Sequence, residues 1–594
     1  MLFCSVFSCS IFAQDRPNVL WITSEDNAAH WLGCYGNKEA KTPNIDALAT
    51  QSIFYDRCYS HAAVCAVSRF TILTGVHSPS AGTQHMRSRH AIPSHFTPYV
   101  SLLRKAGYYC TNANKTDYNF KGNDASLWDD CSAKAHYKNR SEGQPFFAIF
   151  NLQQTHESQI FSQTQTKKSP TRLKPAQLSL PGFLPDLPEI RADVSAYHDR
   201  MTIMDENVGS ILADLRASGL AENTVVFYYS DHGGATPRGK RYLQDSGVRV
   251  PLLIHLPDKW KPLGSSIGKK ISDPVGFVDL APTLLSICGV DIPAHMQGSS
   301  LLSPQKSDRW VFLYADRFDE IYGMRRGITN GKWKYIRCFT SDRPAAPYSF
   351  YQFGQAGWRA WRMDAETRPQ DPRNQMWQSP TSVEMLYEIG TDPDEIKNLA
   401  KDPSQAERLK EMRQRLQQTM IDYRDTGIVH EALFDKFDEK NIHAAVNEKD
   451  FPYQECIEMA FAGDLPGENA EKICRAGLMA KHPIVRYWAG MSLLQIVKPD
   501  YAKEAEILLK QEHSCLRCLG MRLMWRCGQS ESAIRALVRE SSSADLSYTE
   551  LLDLLNLAYD LRRDKTLSDD TWKTINASLK GKEEYTKRII EEIR

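Results

Sequence analysis

The sequence of 594 residues has no excess of charge of either sign, because 73 basic residues nearly match 72 acidic ones. A protein that binds nucleic acid through its overall charge carries a strong positive excess, so we expect no nucleic-acid partner of that kind. Cysteine is also scarce, at 14 positions, which excludes a disulfide-rich scaffold. What remains is a globular chain long enough for about two or three domains. Its hydrophobic residues, 42% of the total, suffice to build real cores.

Long hydrophobic runs are missing as well, and no segment reaches the roughly 20 apolar residues that a membrane-spanning helix needs. We therefore expect no membrane span. The uncharged N-terminal segment, residues 1–13 (MLFCSVFSCSIFA), ends in small residues, as the hydrophobic region of a secretory signal peptide does. It predicts a signal peptide and a periplasmic or secreted protein. A buried N-terminal strand is the alternative.

Short apolar runs that end in polar residues recur in the N-terminal half of the chain. They read as buried strands and are separated by amphipathic helical patterns; the runs cover residues 18–23, 146–151, 224–229 and 252–256. The clearest helical pattern runs from Ile190 to Gly219, with an apolar residue every three or four positions. This alternation predicts an α/β fold with a doubly wound, mostly parallel sheet, whose ligands bind beyond the carboxyl ends of the strands.

The pattern changes further along the chain. After a catalytic α/β domain over residues 14–305, short strand-like runs predict a smaller antiparallel α+β subdomain over residues 306–430. Within it, the aromatic, proline-rich residues 344–380 read as a loop.

Strand patterns vanish after about residue 440, and a weak internal repeat relates His482 and Arg486 to His513 and Arg517. Stacked helix pairs produce repeats of this kind. We predict an all-α, HEAT-like extension over residues 440–594; an unrelated helical bundle is the alternative.

Cys65 stands just ahead of an apolar helical pattern that continues to Gly75, with Arg69 one turn further on. The N-terminus of a helix and a nearby guanidinium both lower the pKa of a thiol. The placement therefore favours a nucleophilic cysteine, with a buried structural cysteine as the alternative.

Two pairs of polar residues follow two of the predicted strands, and they are Glu25 with Asp26 and Asp231 with His232. Converging carboxylates repel one another unless a cation neutralises them, and oxygen-rich ligand sets favour Ca²⁺ or Mg²⁺ over zinc. The pairs predict a cation site, although either pair alone could equally cap a helix or close a turn. Three isolated bases follow predicted strands or lie close to Asp231 and His232 in the sequence. We therefore place them at the same edge of the sheet, formed by the carboxyl ends of its strands, which we call the rim; they are Lys115, His156 and Lys240.

Four motifs follow one another in a fixed order: Arg16-Pro17-Asn18-Val19-Leu20, Thr42-Pro43-Asn44-Ile45-Asp46, Cys65-Ala66-Val67-Ser68-Arg69 and Ser230-Asp231-His232-Gly233. In this order they resemble the formylglycine-dependent type I sulfatases, which have an alkaline-phosphatase-like fold. The resemblance extends from Arg16 to about Ala400. Within the family, Lys115-Thr116-Asp117-Tyr118 and the helical tail look closest to the sulfamidase-like (heparan N-sulfatase) branch.

The resemblance implies that a formylglycine-generating maturase oxidises Cys65, and that the hydrated aldehyde attacks the sulfur of a sulfate ester or sulfamate. The substrate it implies is a sulfated oligosaccharide or polysaccharide. It also implies that Ca²⁺, or Mg²⁺ in its place, is bound by residue 65 together with Glu25, Asp26, Asp231 and His232. Arg69 and Lys115 would hold the hydrate and Lys240 the sulfate oxygens, while His156 would protonate the leaving group.

The sequence departs from the family pattern at four positions. Glu25 replaces Asp, His232 replaces Asn, Val67 replaces Pro or Ala in the maturation motif, and Asp117 replaces a His. Four residues are candidates for substrate binding, namely Asp117, His85, Arg87 and Arg325. Two arginines in the smaller subdomain, Arg325 and its neighbour Arg326, could pair bidentately with a sugar carboxylate or a second sulfate; an ordinary surface arginine is the alternative for each.

Two other functions are consistent with these motifs. One is hydrolysis of a phosphomonoester, phosphodiester or phosphonate by a member of the same superfamily. The absence of an obvious second set of Asp and His ligands favours sulfate over phosphate. The other is a non-catalytic, sulfoglycan-binding pseudoenzyme in which Cys65 is never converted, and Val67 is the feature in its favour.

Overall fold

A computed structural model describes residues 16–88, 90–122, 124–161, 173–263, 270–303, 308–346, 349–437, 441–465, 468–496, 500–543, 545–578 and 583–593. The predicted signal peptide, residues 1–13, lies outside the described residues. The described chain forms two sheets and a helical C-terminal region.

The larger sheet has nine strands, in the order β4-β3-β5-β1-β6-β7-β2-β8, with β9 paired to β2. The strands are β1 Asn18–Ser24, β2 Ile53–Tyr59, β3 Tyr109–Ala113, β4 Asp130–Cys131, β5 Phe146–Leu152, β6 Thr224–Ser230, β7 Arg249–His255, β8 Lys270–Ile271 and β9 Val275–Gly276. Strand β1 lies between β5 and β6 and is parallel to both. Only β7 runs antiparallel to its neighbours, so the predicted mostly parallel sheet is confirmed.

Strand β1 is buried on both faces, which explains its unbroken run of apolar residues. Val19 and Trp21 belong to the hydrophobic core on one face, and Leu20 and Ile22 belong to the core on the other. Helices cover both faces of this sheet, at Pro43–Thr50, Cys65–Thr74, Ser78–Ala81, Tyr99–Lys105, Pro188–Ala217, Asp245–Val248 and Leu280–Ile287. The predicted doubly wound arrangement is therefore confirmed.

The long helix predicted from Ile190 to Gly219 is observed over Pro188–Ala217. It begins at a proline, whose fixed φ suits the first turn of a helix and whose missing N–H has no partner to lose there. The apolar stripe that predicted the helix is buried against the sheet from Ile190 to Leu215.

The smaller sheet is antiparallel, in the order β10 Val311–Phe318, β11 Ile321–Thr329, β12 Trp333–Cys338 and β13 Glu384–Glu388. The helix Ala406–Asp422 packs on this sheet, and a second helix, Ala356–Thr367, lies between β12 and β13 in the chain. The second of these helices corrects our prediction of a loop over residues 344–380. Trp358 and Trp361, three positions apart on one face, pack beside the long helix, where the amide of Gly357 donates to Asp193 at 2.7 Å.

The described residues after 440 contain only helices, at Ile442–Val446, Tyr453–Ala460, Glu468–Gly477, Pro483–Ile496, Ala502–Leu509, Ser514–Arg526, Ser530–Ser541, Tyr548–Arg563, Asp569–Ser578 and Glu584–Ile593. Arg486 Nη1 donates to the carbonyls of residues 480 and 481, both at 2.9 Å. Arg517 Nη1 donates to the equivalent carbonyls, of residues 511 and 512, at 2.9 and 2.7 Å. The two arginines of the sequence repeat thus make the same contact, while the HEAT-like assignment stays a prediction. In the described part of the chain, no helix combines the length and the apolar character needed to cross a membrane.

Candidate active site

Polar residues meet at the carboxyl ends of the two central strands. Ser24 at the end of β1 is in register with Ser230 at the end of β6, so the residues that follow each strand are neighbours. The amide of Asp26 donates to Asp231 Oδ1 at 3.2 Å, and Asp26 adopts a positive φ of 48°. This uncommon backbone conformation aims the Asp26 carboxylate inward from the end of the strand.

Cys65 is the first residue of the helix Cys65–Thr74, all of whose residues are buried. Its sulfur lies 3.2 Å from His232 Nε2 and 3.9 Å from Asp26 Oδ1. The ligand atoms of four buried residues lie within 4.8 Å of one another, and these residues are Asp26, Cys65, Asp231 and His232. We call this set the cation group.

The electrostatics of the cation group fit a divalent cation. Burial acts to raise the pKa of Asp26, but the charges of Lys240 and His232 outweigh it and hold the pKa well below its ordinary value. Burial likewise opposes the charge of His232, yet Asp231 and Asp26 raise the pKa of its imidazole well above the ordinary value. Two buried carboxylates thus draw positive charge to one point, and carboxylate oxygens with an imidazole nitrogen are ligands that a hard cation accepts.

Glu25 lies beside the cation group but is not a member of it. Its Oε1 is 2.8 Å from Lys115 Nζ and 3.5 Å from Arg69 Nη2. Arg69 in turn donates from Nε to Asp231 at 3.1 Å and from Nη1 to Asn151 at 2.7 Å. The structure therefore brings Lys115 and Arg69 to the site as predicted, while the role of Glu25 as a cation ligand stays a prediction.

Lys240 is buried in the centre of the site. Its Nζ lies 3.1 Å from Asp26 Oδ2, 3.6 Å from Cys65 Sγ, 3.0 Å from Glu157 Oε1 and 3.4 Å from His156 Nε2. Asp26, His156 and Glu157 form a second set of side chains that could hold a cation. The ammonium group lies within contact distance of all three, so it supplies the positive charge there.

His156 is half-buried, which leaves its ring accessible at the edge of the site. Burial and the charge of Lys240 lower the pKa of His156. The amide of Ser158 donates to Nδ1 at 3.3 Å, and Nε2 faces the ammonium of Lys240 at 3.4 Å. Either ring nitrogen of a histidine can carry a transferable proton.

The motif order and this geometry agree with two family models. The sulfatase model matches residues 17–127 and 110–290, and the model for the C-terminal part of N-sulphoglucosamine sulphohydrolase matches residues 237–352. An ulvan-active sulfatase of Formosa agariphila is 34% identical over 451 residues, which cover 68% of this chain and 74% of that protein. The chain belongs to the sulfatase family.

N-sulphoglucosamine sulphohydrolase of Homo sapiens is 24% identical to this sulfatase over 471 residues, or 70% of this chain and 92% of the relative. Among solved structures, a 2-O GAG sulfatase has a TM-score of 0.53 at 18% identity, covering 69% of this chain and 93% of that one. The phosphonate monoester hydrolase of Agrobacterium radiobacter has a TM-score of 0.50 at 16% identity, covering 69% and 96%. These likenesses confirm the alkaline-phosphatase-like fold, and family membership makes the chain a sulfuric ester hydrolase.

The structure of this sulfatase adds site residues that the sequence did not single out. Glu157 pairs with Lys240 and accepts two hydrogen bonds from Arg241, at 2.9 and 3.0 Å. Arg241 also pairs with Asp319 at 2.5 Å, and Asp319 lies 3.7 Å from Arg588 in the last helix. The only signal in the sequence was position, because Glu157 and Arg241 directly follow His156 and Lys240.

The four candidate substrate residues lie in three places. Asp117 and the exposed Arg87 are close to each other and to Tyr585; partial burial opposes the charge of Arg87, but these two neighbours raise its pKa. His85 is buried 3.7 Å from Glu431, and burial lowers its pKa to about 3. Arg325 lies in the smaller sheet and lines a separate cavity. The structure thus brings neither His85 nor Arg325 to the cation group, and all four substrate roles stay predictions.

Proposed function

We propose that this sulfatase hydrolyses a sulfate ester or sulfamate of a sulfated oligosaccharide or polysaccharide, in the periplasm or outside the cell. The observation that carries the proposal is the position of Cys65, at a helix N-terminus, with its sulfur 3.2 Å from His232 Nε2 and 3.6 Å from Lys240 Nζ. The printed names of two relatives support the substrate class, since one acts on ulvan and the other is an N-sulphoglucosamine sulphohydrolase.

Residue 65 would act as formylglycine, and a divalent cation would complete the site. Formylglycine supplies two hydroxyl groups when hydrated, one to attack sulfur and one to expel sulfate. A thiol cannot replace it, because it lacks the second hydroxyl. Ca²⁺, or Mg²⁺ in its place, would be held by Asp26, Asp231, His232 and residue 65, and would withdraw electron density from a sulfate oxygen.

The remaining charged residues bind and orient the anion. Lys240, Lys115 and Arg69 direct positive charge at the space around Cys65, where the transferring sulfuryl group would be held. Burial opposes the charge of Lys115, but its neighbours, Cys65 and Glu25 first among them, raise the pKa of its ammonium group, which therefore stays protonated. Fixed cations in a buried site stabilise charge that develops in the transition state, and they need no rearrangement to do so.

His156 would deliver a proton from its ring to the leaving oxygen or nitrogen. Its half-buried ring lies at the edge of the site, where a leaving sugar would depart. Binding of the sulfate ester or sulfamate, a monoanion, beside Lys240 would partly offset the positive charge that lowers the pKa of His156, which favours the protonated acid.

A phosphonate or phosphoester hydrolase is the second candidate, favoured by the fold shared with a phosphonate monoester hydrolase. Two-metal phosphoryl transfer needs a second cation about 4 Å from the first. In this chain the second candidate set, formed by Asp26, His156 and Glu157, already surrounds the ammonium of Lys240. That contact favours a one-cation site and sulfate.

The deciding experiment combines mass spectrometry and a substrate screen on protein from the native host. The peptide that contains Cys65 should carry formylglycine, and the protein should release sulfate from N- or O-sulfated sugars but not phosphate from matched phosphate esters. Cys65→Ala should lose this activity, while Cys110→Ala, at another buried cysteine, should keep it. An unmodified thiol at residue 65 in inactive protein would instead support the non-catalytic pseudoenzyme.

A further inference from the structure

A cavity outside the cation group lies beside the smaller sheet, which contributes part of its lining. Tyr242, Arg325 and Met376 are among its lining residues. Its volume is about 70 Å³, several times the roughly 15 Å³ that one water molecule requires. Pro372 and Gln375, which also line it, are exposed, so the cavity reaches solvent. The space is therefore suited to a group of a few heavy atoms and too small for a whole disaccharide.

Arg325 lines this cavity, and its guanidinium has no anionic partner among the described residues. Arg325 is only 8% exposed, and its guanidinium carbon lies 5.7 Å from the centroid of the Tyr242 ring, a cation–π contact. Every other arginine that is buried in the described part of the chain donates a hydrogen bond to a carboxylate or a backbone carbonyl. Arg325 is the exception.

The neighbouring residue shows what a structural arginine looks like in this sheet. Arg326 donates two hydrogen bonds to Asp316, at 2.9 and 3.0 Å, and two to Asp425, at 2.5 and 3.0 Å. An arginine stays charged at any accessible pH, and burying an unpaired charge is strongly unfavourable. Arg325 carries the same charge and is largely buried, at 8% exposure against 0% for Arg326, but no carboxylate among the described residues pairs with it. An anionic ligand would supply the missing partner.

The rest of the cavity wall is also cationic. Arg238 and Arg373 line it. The guanidinium of Arg238 donates to the carbonyls of Asp394 and Glu395, both at 2.7 Å, whereas that of Arg373 is paired with Asp371 at 2.5 Å, so Arg238 supplies the second uncompensated charge. The carboxylate of Glu395 also lines the cavity, but it already lies 2.9 Å from Lys334 Nζ and accepts from the amide of residue 245 at 2.5 Å. The net field in the cavity is thus positive, which favours an anion.

We propose that this cavity binds an oxyanion, a sulfate or a carboxylate group, on the guanidinium of Arg325. The planar guanidinium matches the two oxygens of either group bidentately. Two sources have this chemistry, namely free sulfate and an anionic group carried by a sugar. The inference does not depend on conversion of Cys65, because it concerns binding in a cavity that contains none of the cation group.

Calorimetric titration of the full-length protein with sodium sulfate, at constant ionic strength, tests the proposal. The wild type should bind sulfate at two sites per chain, because the active site also attracts sulfate. Arg325→Met should bind at one site, and Arg325→Lys should retain the second site with affinity reduced about tenfold, since an ammonium cannot bind bidentately. The control Arg57→Met, at a half-buried arginine of the larger sheet, should keep both sites. Two unchanged sites in Arg325→Met would overturn the proposal.

Thermal unfolding separates a binding role from a structural one. In sulfate-free buffer Arg325→Met should unfold at the same temperature as the wild type or higher, because it removes a buried unpaired charge. Sulfate should raise the unfolding temperature of Arg325→Met less than that of the wild type. A variant that is destabilised without sulfate, yet responds to sulfate as the wild type does, would show that Arg325 is structural.

Three ligands distinguish the sources of the anion: sodium sulfate, sodium glucuronate and neutral N-acetylglucosamine. Arg325-dependent binding of sulfate alone identifies free sulfate as the ligand, and Arg325-dependent binding of glucuronate identifies an anionic sugar. Either result supports the oxyanion site. Binding of the neutral sugar in an Arg325-dependent manner, or of none of the three, contradicts it.

Discussion

The rim of the larger sheet and the cluster around Arg326 both bury several charges, but they are built differently. In the Arg326 cluster one guanidinium donates to both oxygens of Asp316 and of Asp425. Every oxygen of the two carboxylates accepts a hydrogen bond from Arg326, and none of the three side chains is exposed. This is how a fold stabilises charge that it must bury.

At the rim, by contrast, a single carboxylate is shared among several donors. Asp26 contacts Lys240, His232 and the amide of Glu157, and the thiol of Cys65 stands 3.9 Å from it. Its backbone is in the left-handed region, where strain is tolerated only if the surroundings impose it. Buried charge alone therefore does not mark a site; shared acceptors, a strained backbone and an adjacent nucleophile do.

The largest expected effect tests the structural side of this comparison. Arg326→Met leaves two carboxylates buried without a cation and should lower the free energy of unfolding by about 3–5 kcal/mol. Denaturant unfolding measures this loss, and the specific activity of the folded fraction should stay close to that of the wild type. The adjacent Arg325→Met is the matched control and should cost no stability. Equal stability of the two variants would contradict the assignment of Arg326 as a structural residue.

The next effect tests the rim. Lys240→Met should lower kcat/KM by about 10²–10³, because it removes a fixed cation 3.6 Å from Cys65 Sγ. Lys334 offers a matched control, since it too is a buried lysine between two carboxylates, Asp245 at 2.5 Å and Glu395 at 2.9 Å. Lys334→Met should lose stability and keep the specific activity of its folded fraction. A similar loss of kcat/KM in both variants would mean that Lys240 has no special role in catalysis.

The rim was largely predictable from sequence because its residues follow strands and parallel strands align their ends. Asp26, Asp231 and His232 could be placed together on that ground, and Cys65 by the helix that follows it. The partner of each charge could not be predicted, because ion pairs form between distant elements. Arg326 and Asp425, for example, are 99 positions apart.

The fold shows the same contrast between what local sequence can predict and what only distant contacts determine. The strands were recognisable as apolar runs because both faces of the larger sheet are buried. The helix Ala356–Thr367 was not, since its tryptophans lie in a proline-rich segment and its amphipathic face is completed only by contact with the long helix. Glu25 is the corresponding case in the site, because local sequence cannot show that its carboxylate pairs with Lys115.

Removal of the bound cation should change the stability that the cation group contributes, but not the stability that the Arg326 cluster contributes. If the cation group holds Ca²⁺, saturation at about a hundred times the dissociation constant should stabilise the fold by about 2.7 kcal/mol, and EDTA should reverse it. Differential scanning calorimetry measures the shift. Asp231→Asn should reduce it, because one ligand loses its charge, while Asp316→Asn in the Arg326 cluster should leave it unchanged. A shift of the same size in Asp231→Asn would place the cation elsewhere.

The smallest effect is a pH dependence that belongs to the Arg326 cluster. Burial raises the pKa of Asp316 to about 7, since the attraction of Arg326 only partly offsets it and Asp425 adds repulsion. A carboxyl whose pKa is raised on folding stabilises the protein while it is protonated, so this contribution is present at low pH and is lost as pH rises through about 7. Between pH 6 and pH 8 the loss should be about 1.4 kcal/mol, one pKa unit of free energy.

Other buried acids, Glu320 among them, titrate in the same range, so the quantity to measure is the difference between the wild type and Asp316→Asn. The variant should lose less stability than the wild type over this interval, and equal pH profiles would show that Asp316 stays ionised beside Arg326.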